Sequence, residues 1–464
     1  MPAANPLELF FKPKSVAVVG ASRHPGKIGH EILKNIKIAG YSGKVFPVNP
    51  TATSILEYQC YPSIESIHEK IDLAILVVSA QDTPQAMREC ADAHVPAAIV
   101  ITSGFSEIGQ RELENQVMQI AKQGGIRVIG PNTFGIFFAE SKFNCTFGTQ
   151  NVLPGKTAFI SQSGAIGLAL MAWTTEQKYG VSSIVSIGNK ADVDDADLVE
   201  YFSNHEATKS ILIYMEGLAN GRKFVDIAKQ VSKKKPIVII KAGKSTRGAQ
   251  AVSSHTGSMA GSDAVFDVAF REAGVLRADT MTQAFDWIQA INENPIPKTQ
   301  EIAIVTNGGG IGVLATDKCE SLGLKINELP DELKTELKPL LPSFGSLRNP
   351  IDLTANANDE MYRKVLSILL KSTHVGGVIA LFCETANIDP TLVAQAILDL
   401  KGRESSKPIT AAFIGGRLSR IAYEKMLERQ FSAYPTAERA VDGMYALMSY
   451  SKRKMQLADS EKVD

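Results

Sequence analysis

The sequence TAFISQSGAIG, at residues 157–167, is an apolar run followed by a polar turn and the start of a helical pattern. The sequence IAIVTNGGGIG, at residues 302–312, aligns to it without gaps. A short buried strand that leads through a tight turn into a helix is the building unit of parallel α/β sheets. The alignment predicts that two parts of the chain are diverged copies, although generic α/β architecture would also produce this pattern.

Similar apolar runs alternate with helical patterns along almost the whole chain. Their continuous apolar character is typical of strands buried on both faces of a parallel sheet. The runs form three groups, at residues 15–20, 44–48, 72–78, 97–102 and 127–130, then 157–161, 183–186, 210–214 and 236–240, and finally 301–306, 375–382 and 409–414. Junctions with proline and glycine separate the groups and predict three α/β domains, at residues 1–150, 151–296 and 297–464.

The composition is that of an ordinary globular protein. The 464 residues include 49 basic and 49 acidic side chains, so no general field favours a nucleic acid or a membrane as partner. No apolar run approaches the roughly 20 residues that span a bilayer, and the N-terminus lacks a signal-peptide pattern. Five scattered cysteines argue against a disulfide framework and a zinc site. We therefore expect a cytoplasmic protein without a metal site of its own.

The turn GASRHPGKIG, at residues 20–29, follows the first predicted strand and opens a helix. Backbone N–H groups at such a helix start hold phosphate groups. Ser22 replaces the second glycine of the dinucleotide fingerprint, and the second strand ends at Asn49 without an acidic residue for a ribose hydroxyl. Arg23 and Lys27 add positive charge beside the turn. The pattern favours a phosphate-bearing ligand other than NAD, with an empty Rossmann-like turn as the alternative.

Small polar residues follow other predicted strands. Ser79, Ser103 and Asn132 lie where three strands of the first group end, and ligands of open α/β sheets bind outside such strand ends. Two further turns, SQSG at residues 161–164 and NGGG at residues 307–310, lead directly into helices whose N–H groups and dipoles attract an anion. If the two copies pack face to face, both helix starts converge on one anion. Simple helix capping is the alternative for SQSG, and a serine nucleophile is disfavoured because no G-x-S-x-G elbow is present.

The stretch KAGKSTRGAQAVSSHTGSMAGSD, at residues 241–263, is rich in glycine and small polar residues. Such a composition buries little apolar surface and predicts a long mobile loop. His255 in this stretch suits a nucleophile because neutral imidazole is populated near pH 7, whereas a solvated or structural histidine is the alternative. Glu216, at the end of a predicted strand, is placed to accept an imidazole N–H and fix its tautomer, or is an ordinary surface carboxylate.

In this order, the motifs resemble those of the α subunits of ADP-forming (NDP-forming) acyl-CoA synthetases, relatives of succinyl-CoA synthetase. The resemblance covers essentially the whole chain and rests on GASRHPGKIGH, GPNTFGI, SQSGAIG, SSHTGSMAGSD, NGGGIG and NPIDL. It implies an N-terminal Rossmann-like CoA-binding domain followed by two flavodoxin-like CoA-ligase domains with parallel sheets. It also implies that acyl-CoA and phosphate give an acyl phosphate, which phosphorylates a loop histidine, which then phosphorylates ADP.

The resemblance implies that His255 is the phosphorylated residue and that Glu216 orients it. Patterns and resemblance together give the expected CoA-binding residues Gly20, Ser22, Arg23, Lys27, Asn49, Ser79 and Ser103. The expected residues for phosphate or the acyl group are Asn132, Ser161, Gln162, Ser163, Gly164, Gly308, Gly309 and Gly310. The sequence does not choose between acetyl and a branched or aryl acyl group, because Phe134, Phe137 and Phe138 follow Asn132 closely.

The family's nucleotide step needs an ATP-grasp module, and its glycine-rich lid and metal-binding acids have no evident counterpart in this sequence. The resemblance therefore implies an ATP-grasp β subunit that supplies the sites for ADP or ATP and Mg²⁺, in an α2β2 heterotetramer. A module that senses CoA or acyl-CoA without turnover is the alternative from another functional class. An NAD-dependent dehydrogenase is disfavoured by the missing ribose carboxylate.

Overall fold

The computed structural model of the protein describes residues 5–148, 151–256, 262–403 and 406–460. The chain forms two compact units, Met1–Arg277 and Ala278–Asp464. Parallel strands and intervening helices dominate both units, which confirms the predicted α/β class. The predicted division into three domains stays a prediction. None of the helices in these described ranges combines the length and the apolar character needed to cross a membrane.

The first part of unit one is an open parallel sheet covered by helices. Its elements are α1 (Glu8–Phe11), β1 (Ser15–Val19), α2 (Ile28–Ala39), β2 (Lys44–Val48), β3 (Ser54–Ile55), β4 (Tyr58–Gln59), β5 (Leu73–Leu76), α3 (Thr83–Asp92), β6 (Ala97–Val100), α4 (Arg111–Gln123) and β7 (Arg127–Ile129). The sheet order is β2-β1-β5-β6-β7, with all pairs parallel, while β3 and β4 form a separate hairpin. The strand order runs from β1 to β2 on one side and continues with β5 on the other side of β1. Open α/β sheets bind ligands at such topological switch points.

The second part of unit one is a seven-stranded sheet. Its elements are β8 (Ile136–Phe138), β9 (Phe143–Asn144), β10 (Pro154–Ser161), α5 (Gly164–Glu176), β11 (Val181–Ser186), α6 (Asp195–Asn204), β12 (Ser210–Met215), α7 (Gly221–Ser232), β13 (Ile237–Lys241), α8 (Thr246–Thr256), α9 (Asp263–Glu272) and β14 (Leu276–Ala278). The order is β14-β13-β12-β10-β11-β8-β9. Strands β10 to β13 pair in parallel, whereas β8 pairs antiparallel with β11 and β9 with β8.

The prediction of a mobile loop is wrong for Thr246–Thr256, because these residues form helix α8. Ser245 caps the helix because its Oγ accepts the N–H of Gly248 at 3.1 Å. Ala249 and Ala251 favour the helical conformation, and Val252 is buried. The glycine and serine content of the stretch concealed this helical signal. His255 belongs to α8, but its side chain and residues 257–261 lie outside the part of the chain that is described.

Unit two is a parallel sheet between layers of helices. Its elements are α10 (Met281–Glu293), β15 (Ile302–Thr306), α11 (Gly309–Ser321), α12 (Asp331–Leu337), β16 (Ile351–Asp352), α13 (Asp359–Lys371), β17 (Gly377–Cys383), α14 (Pro390–Arg403), β18 (Ile409–Ile414), α15 (Arg417–Glu428), β19 (Ala433–Tyr434) and α16 (Ala437–Ser460). The order is β16-β15-β17-β18-β19, with parallel pairing throughout. Buried Asp286 on α10 accepts two hydrogen bonds from Arg439 on α16, both at 2.7 Å, which fastens these helices together.

Candidate functional site

The residues predicted to bind CoA lie at the carboxyl edge of the first sheet. Gly20 follows β1 directly, and Asn49 follows β2. Ser79, Ser103 and Asn132 each lie three residues after β5, β6 and β7, respectively. Because these strands are parallel, their carboxyl ends share one edge, where open α/β sheets bind ligands. The fold therefore brings this predicted set to a common edge.

The backbone of the first turn packs too closely to accept side chains at its ends. Gly20 has a φ of +89°, and a Cβ built there would lie 2.8 Å from the carbonyl carbon of Val77. Asn49 Nδ2 donates to the carbonyl oxygen of Ala21 at 2.8 Å, so Asn49 braces the turn from the neighbouring strand. The tight packing explains why the strand passes into α2 through this glycine.

Two cations of the turn are available to a ligand. Arg23 and Lys27 are exposed, whereas the turn itself is shaped by residues of its own helix. Glu31 Oε1 accepts the N–H of Gly26 at 2.9 Å, and a ring nitrogen of His30 lies 3.0 Å from the carbonyl oxygen of Ser22. The turn thus has a fixed backbone and solvent-facing positive charge, an arrangement that suits a phosphate group.

Asn132 has an uncommon backbone conformation, with a φ of +63°. Asparagine tolerates this left-handed region better than most residues. Its N–H donates to the carbonyl oxygen of Thr102 at 2.8 Å, and its Nδ2 donates to Asn189 Oδ1 at 3.3 Å. Backbone and side chain are therefore both held at the edge where the acyl group was predicted to react.

The phenylalanines that follow Asn132 are buried. Phe137 and Phe138 form part of β8, and the ring of Phe138 packs 5.2 Å from that of Phe11 in the core. Phe134 packs on α5, where a Cβ built at Gly167 would lie 2.2 Å from its ring. The β8 pair therefore builds the core, and Phe134 packs between the turn at Asn132 and α5.

At the carboxyl edge of the second sheet, Gln162 connects the start of α5 to the end of β12. Its Oε1 accepts the N–H groups of Glu216 at 2.8 Å and Gly217 at 3.0 Å. Ser161 Oγ donates to the carbonyl oxygen of Ser163 at 2.8 Å, and Ser163 caps α5. A methyl group built at Gly164 meets no described atom within 4 Å, so the helix start is uncrowded.

Glu216 is 5% exposed, which rules out the alternative of an ordinary surface carboxylate. Its carbonyl oxygen accepts a hydrogen bond from Lys241 Nζ at 2.9 Å. Burial lowers the pKa of Lys241, although the negative charges of Asp263 and Glu216 oppose this shift. Burial and the charge of Glu216 raise the pKa of Tyr214 to about 12. Glu216 therefore belongs to a buried polar cluster at the sheet edge.

The sequence reasoning missed three charged residues of this cluster. Lys190 Nζ donates to the carbonyl oxygen of Gly217 at 2.7 Å and lies 3.2 Å from Asp195 Oδ2. Asp195, only 1% exposed, also accepts from Gln162 Nε2 at 2.8 Å. Lys241, described above, is the third. Asp195 is far from Gln162 in the sequence, and only the tertiary structure brings the two together.

The turn after β15 repeats the geometry of the turn after β10. Thr306 Oγ1 donates to the carbonyl oxygen of Gly308 at 3.0 Å. Asn307 Oδ1 accepts the N–H of Cys383, at the end of β17, at 2.7 Å. Gly309 begins α11, and a methyl group built at Gly310 meets no described atom within 4 Å. Both predicted anion turns are thus formed, one in each unit, and their convergence on one anion stays a prediction.

Three family models match successive parts of the chain. They describe a CoA binding domain at residues 14–139, a succinyl-CoA ligase like flavodoxin domain at residues 154–291 and a ligase-CoA domain at residues 302–457. These matches confirm the fold class predicted from the sequence, a CoA-binding domain followed by two CoA-ligase domains.

Relatives match the chain over nearly all its length. The α subunit of ADP-forming acetate–CoA ligase I from Pyrococcus furiosus is 46% identical over 97% of this chain and 98% of its own. An ADP-forming acetate–CoA ligase from Methanocaldococcus jannaschii is 38% identical over 97% of this chain, which spans only 64% of that relative. Acetyl-coenzyme A synthetase 1 (dinucleotide forming) of Ca. Korarchaeum cryptofilum, solved with phosphate and ADP, gives a TM-score of 0.95 at 43% identity over 98% of both chains. The chain therefore belongs to the ADP-forming acetate–CoA ligase family, in which it matches the separate α subunit.

Proposed function

We propose that the chain is the α subunit of an ADP-forming acyl-CoA synthetase. The complete reaction converts acyl-CoA, phosphate and ADP into a carboxylic acid, CoA and ATP. The geometric observation that carries the proposal is that one side chain, Gln162, joins the uncrowded start of α5 to buried Glu216. The full-length similarity to an α subunit of the family supports it.

The first step takes place at the carboxyl edge of the first sheet. The turn at residues 20–29 holds the phosphate groups of CoA through backbone N–H groups, with Arg23 and Lys27 beside them. A phosphate oxygen attacks the thioester carbonyl carbon, the carbon–sulfur bond breaks, and CoA leaves as the thiol. The Asn132 amide, fixed by its backbone and by Asn189, orients the reacting groups and binds either the acyl oxygen or the phosphate.

The second step moves the phosphoryl group to His255. An imidazole nitrogen attacks the phosphorus atom, the bond from phosphorus to the acyl oxygen breaks, and the carboxylic acid leaves as its carboxylate. Glu216 accepts the other imidazole N–H and holds the tautomer that attacks. The helix starts at Gly164 and Gly310 stabilise the phosphoryl group, each by about 0.3–2 kcal/mol.

The third step needs a partner subunit. An ATP-grasp β subunit in an α2β2 heterotetramer supplies ADP and Mg²⁺, and a β-phosphate oxygen of ADP takes the phosphoryl group from His255. Mg²⁺, when bound, neutralises phosphate charge during this transfer. Within the described residues, no three His, Cys, Asp or Glu side chains group as a metal site. The greater length of the Methanocaldococcus relative supports a second component, and the cytoplasm is the proposed compartment.

The experiment incubates the purified chain with acetyl-CoA and radioactive phosphate, with and without the partner subunit and ADP. We expect acid-labile label on the chain in both cases and ATP only when the partner is present. ATP synthesis by the chain alone would contradict the division of labour between subunits. Absence of label in both samples would contradict the proposed reaction.

A further inference from the structure

The loop after β11 places two consecutive residues against the two reaction regions of unit one. Asn189 Oδ1 accepts a hydrogen bond from Asn132 Nδ2 at 3.3 Å. Lys190 Nζ donates to the carbonyl oxygen of Gly217, the neighbour of Glu216, at 2.7 Å. Asn189 thus contacts the residue proposed to bind the acyl group or phosphate, and Lys190 contacts the neighbour of the residue proposed to orient His255. The peptide bond between Asn189 and Lys190 connects these two contacts.

The loop is fastened to the backbone around Asn132. The N–H of Asn189 donates to the carbonyl oxygen of Pro131 at 2.9 Å, and that of Ala191 donates to Gly130 at 3.1 Å. Gly188 has a φ of +53°, and a Cβ built there would lie 2.0 Å from the Pro131 oxygen. The two backbones are in direct contact, so the position of Asn189 relative to Asn132 is fixed.

The orientation of the Asn189 amide is also fixed. Its Nδ2 lies 2.7 Å from Glu107 Oε2 and 2.8 Å from Glu114 Oε2. Carboxylates accept hydrogen bonds, so the nitrogen must face them and the oxygen must face Asn132. Burial raises the pKa of Glu107, but hydrogen bonds from Asn189 and from backbone N–H groups outweigh it and lower that pKa. The amide is thus held in one orientation by two acceptors.

Lys190 is held equally firmly on the other side. Its side chain is 12% exposed and pairs with Asp195, whose side chain is 2% exposed. Asp195 also accepts from Gln162, which in turn binds the N–H of Glu216. The backbone around Glu216 is therefore held at the N–H of Glu216 by Gln162 and at the carbonyl oxygen of Gly217 by Lys190.

We propose that Asn189 and Lys190 are a pair of positioning residues that aligns the two half-reactions. Asn189 sets the Asn132 amide where the acyl phosphate forms, and Lys190 sets the Gly217 carbonyl, next to Glu216, where His255 is oriented. This inference rests on the proposed function. Its consequence is that a change at either residue affects one half-reaction much more than the other.

The test separates the two half-reactions on the full-length chain. Release of CoA thiol from acetyl-CoA and phosphate measures the first, and labelling of the chain by added acetyl phosphate measures the second. Asn189→Ala should slow the first by up to about 100-fold, the cost of misplacing a reacting group by about 1 Å, and leave the second nearly unchanged. Lys190→Met should do the reverse, with kcat lowered and the KM for acetyl phosphate nearly unchanged.

Conservative and control variants distinguish positioning from general damage. Lys190→Arg keeps the charge and donors and should restore most of the labelling rate. Lys190 has a left-handed φ of +57°, and Lys178 is an exposed lysine with a φ of +53° at the opposite edge of the sheet. Lys178→Met should therefore change neither half-reaction. If Lys190→Met does not fold, Lys190→Gln takes its place.

The wild-type chain tests the proposed function, because it must perform both half-reactions. If the wild type performs both, two results would overturn the positioning roles. One is that each folded variant slows both half-reactions equally, and the other is that neither variant slows any half-reaction. A failure of the wild type would instead contradict the proposed function itself.

Discussion

Gln162 and Asn307 occupy equivalent positions in two strand–turn–helix units, and each fastens its turn to the neighbouring strand. Gln162 Oε1 accepts the N–H of Glu216 after β12 at 2.8 Å, and Asn307 Oδ1 accepts the N–H of Cys383 at the end of β17 at 2.7 Å. The hydroxyl residue before each amide closes the same local hydrogen bond. This repeated network supports the hypothesis of diverged copies and gives both helix starts the same local geometry.

The copies differ at the residue whose N–H binds the turn amide. Glu216 is buried beside Lys241, whereas Cys383 occupies the equivalent position in the second copy. Glu384, one residue later, accepts the N–H of Ser419 at 2.8 Å and caps α15. Glu216→Gln should slow labelling of the chain by acetyl phosphate without abolishing it, because the imidazole loses its orienting charge and keeps its nucleophilic nitrogen. Glu384→Gln should weaken the cap of α15 and leave labelling nearly unchanged. Equal effects of the two variants on labelling would contradict the assigned role of Glu216.

The helix starts can be tested by adding one methyl group. Because a Cβ at Gly164 or Gly310 meets no described atom within 4 Å, alanine at either position should leave the melting temperature nearly unchanged. Part of a helix–anion contact of about 0.3–2 kcal/mol would be lost, which should slow the labelling by at most about 30-fold. The control is Gly221→Ala, at the equally uncrowded start of α7. A normal labelling rate in both test variants would remove the helix starts from the mechanism.

The cations of the first turn should contribute to CoA affinity. Arg23→Ala and Lys27→Ala should each weaken CoA binding in calorimetry, by about 0.2–1 kcal/mol for an exposed pair of charges, and the losses should shrink at high salt. Lys122→Ala, an exposed lysine at the last turn of α4 and thus at the opposite edge of the sheet, is the control. A Gly26→Val variant would not isolate the effect on CoA binding. Gly26 has a φ of +83°, and a β-branched residue would be strained in this conformation. If Arg23→Ala and Lys27→Ala bound CoA as tightly as Lys122→Ala does, the CoA site would lie elsewhere.

A partly buried lysine gives unit one a predictable response to pH. Lys235 Nζ donates to the carbonyl oxygens of Phe202 at 2.8 Å and His205 at 2.7 Å. Burial, followed by the charges of Lys209 and Lys234, lowers its pKa from 10.5 to about 8. Between these values the unfolded chain binds more protons than the folded chain, so the stability contributed by this group rises with pH. The wild type should therefore gain stability relative to Lys235→Met as pH rises from about 8 to 10.5 in urea unfolding, and a constant difference would contradict the assignment.

The sequence predicted the long strands and the edge residues but not the contacts between distant side chains. Strands such as β1, buried at all five residues, stood out because both faces of a parallel sheet are covered. The two-residue strands β16 and β19 carry no periodicity that a sequence could reveal. Helix α8 was missed because composition outweighed its cap and its alanines. Lys190 and Asp195 were missed because tertiary structure alone brings them to Gln162.

The central claim is that His255 carries the phosphoryl group. The His255→Ala variant should therefore bind CoA with normal affinity, because the turn at residues 20–29 is unchanged, and should neither become labelled nor support ATP synthesis with its partner. His68→Ala, which replaces an exposed histidine of the same unit, should behave like the wild type.

The most direct measurement is mass spectrometry of peptides from the chain after incubation with acetyl phosphate. We predict one acid-labile phosphate on the peptide that contains His255 in the wild type and in His68→Ala, and none in His255→Ala. An acid-labile phosphate on any other peptide of the His255→Ala chain, or ATP synthesis by that variant with the partner subunit, would contradict the account.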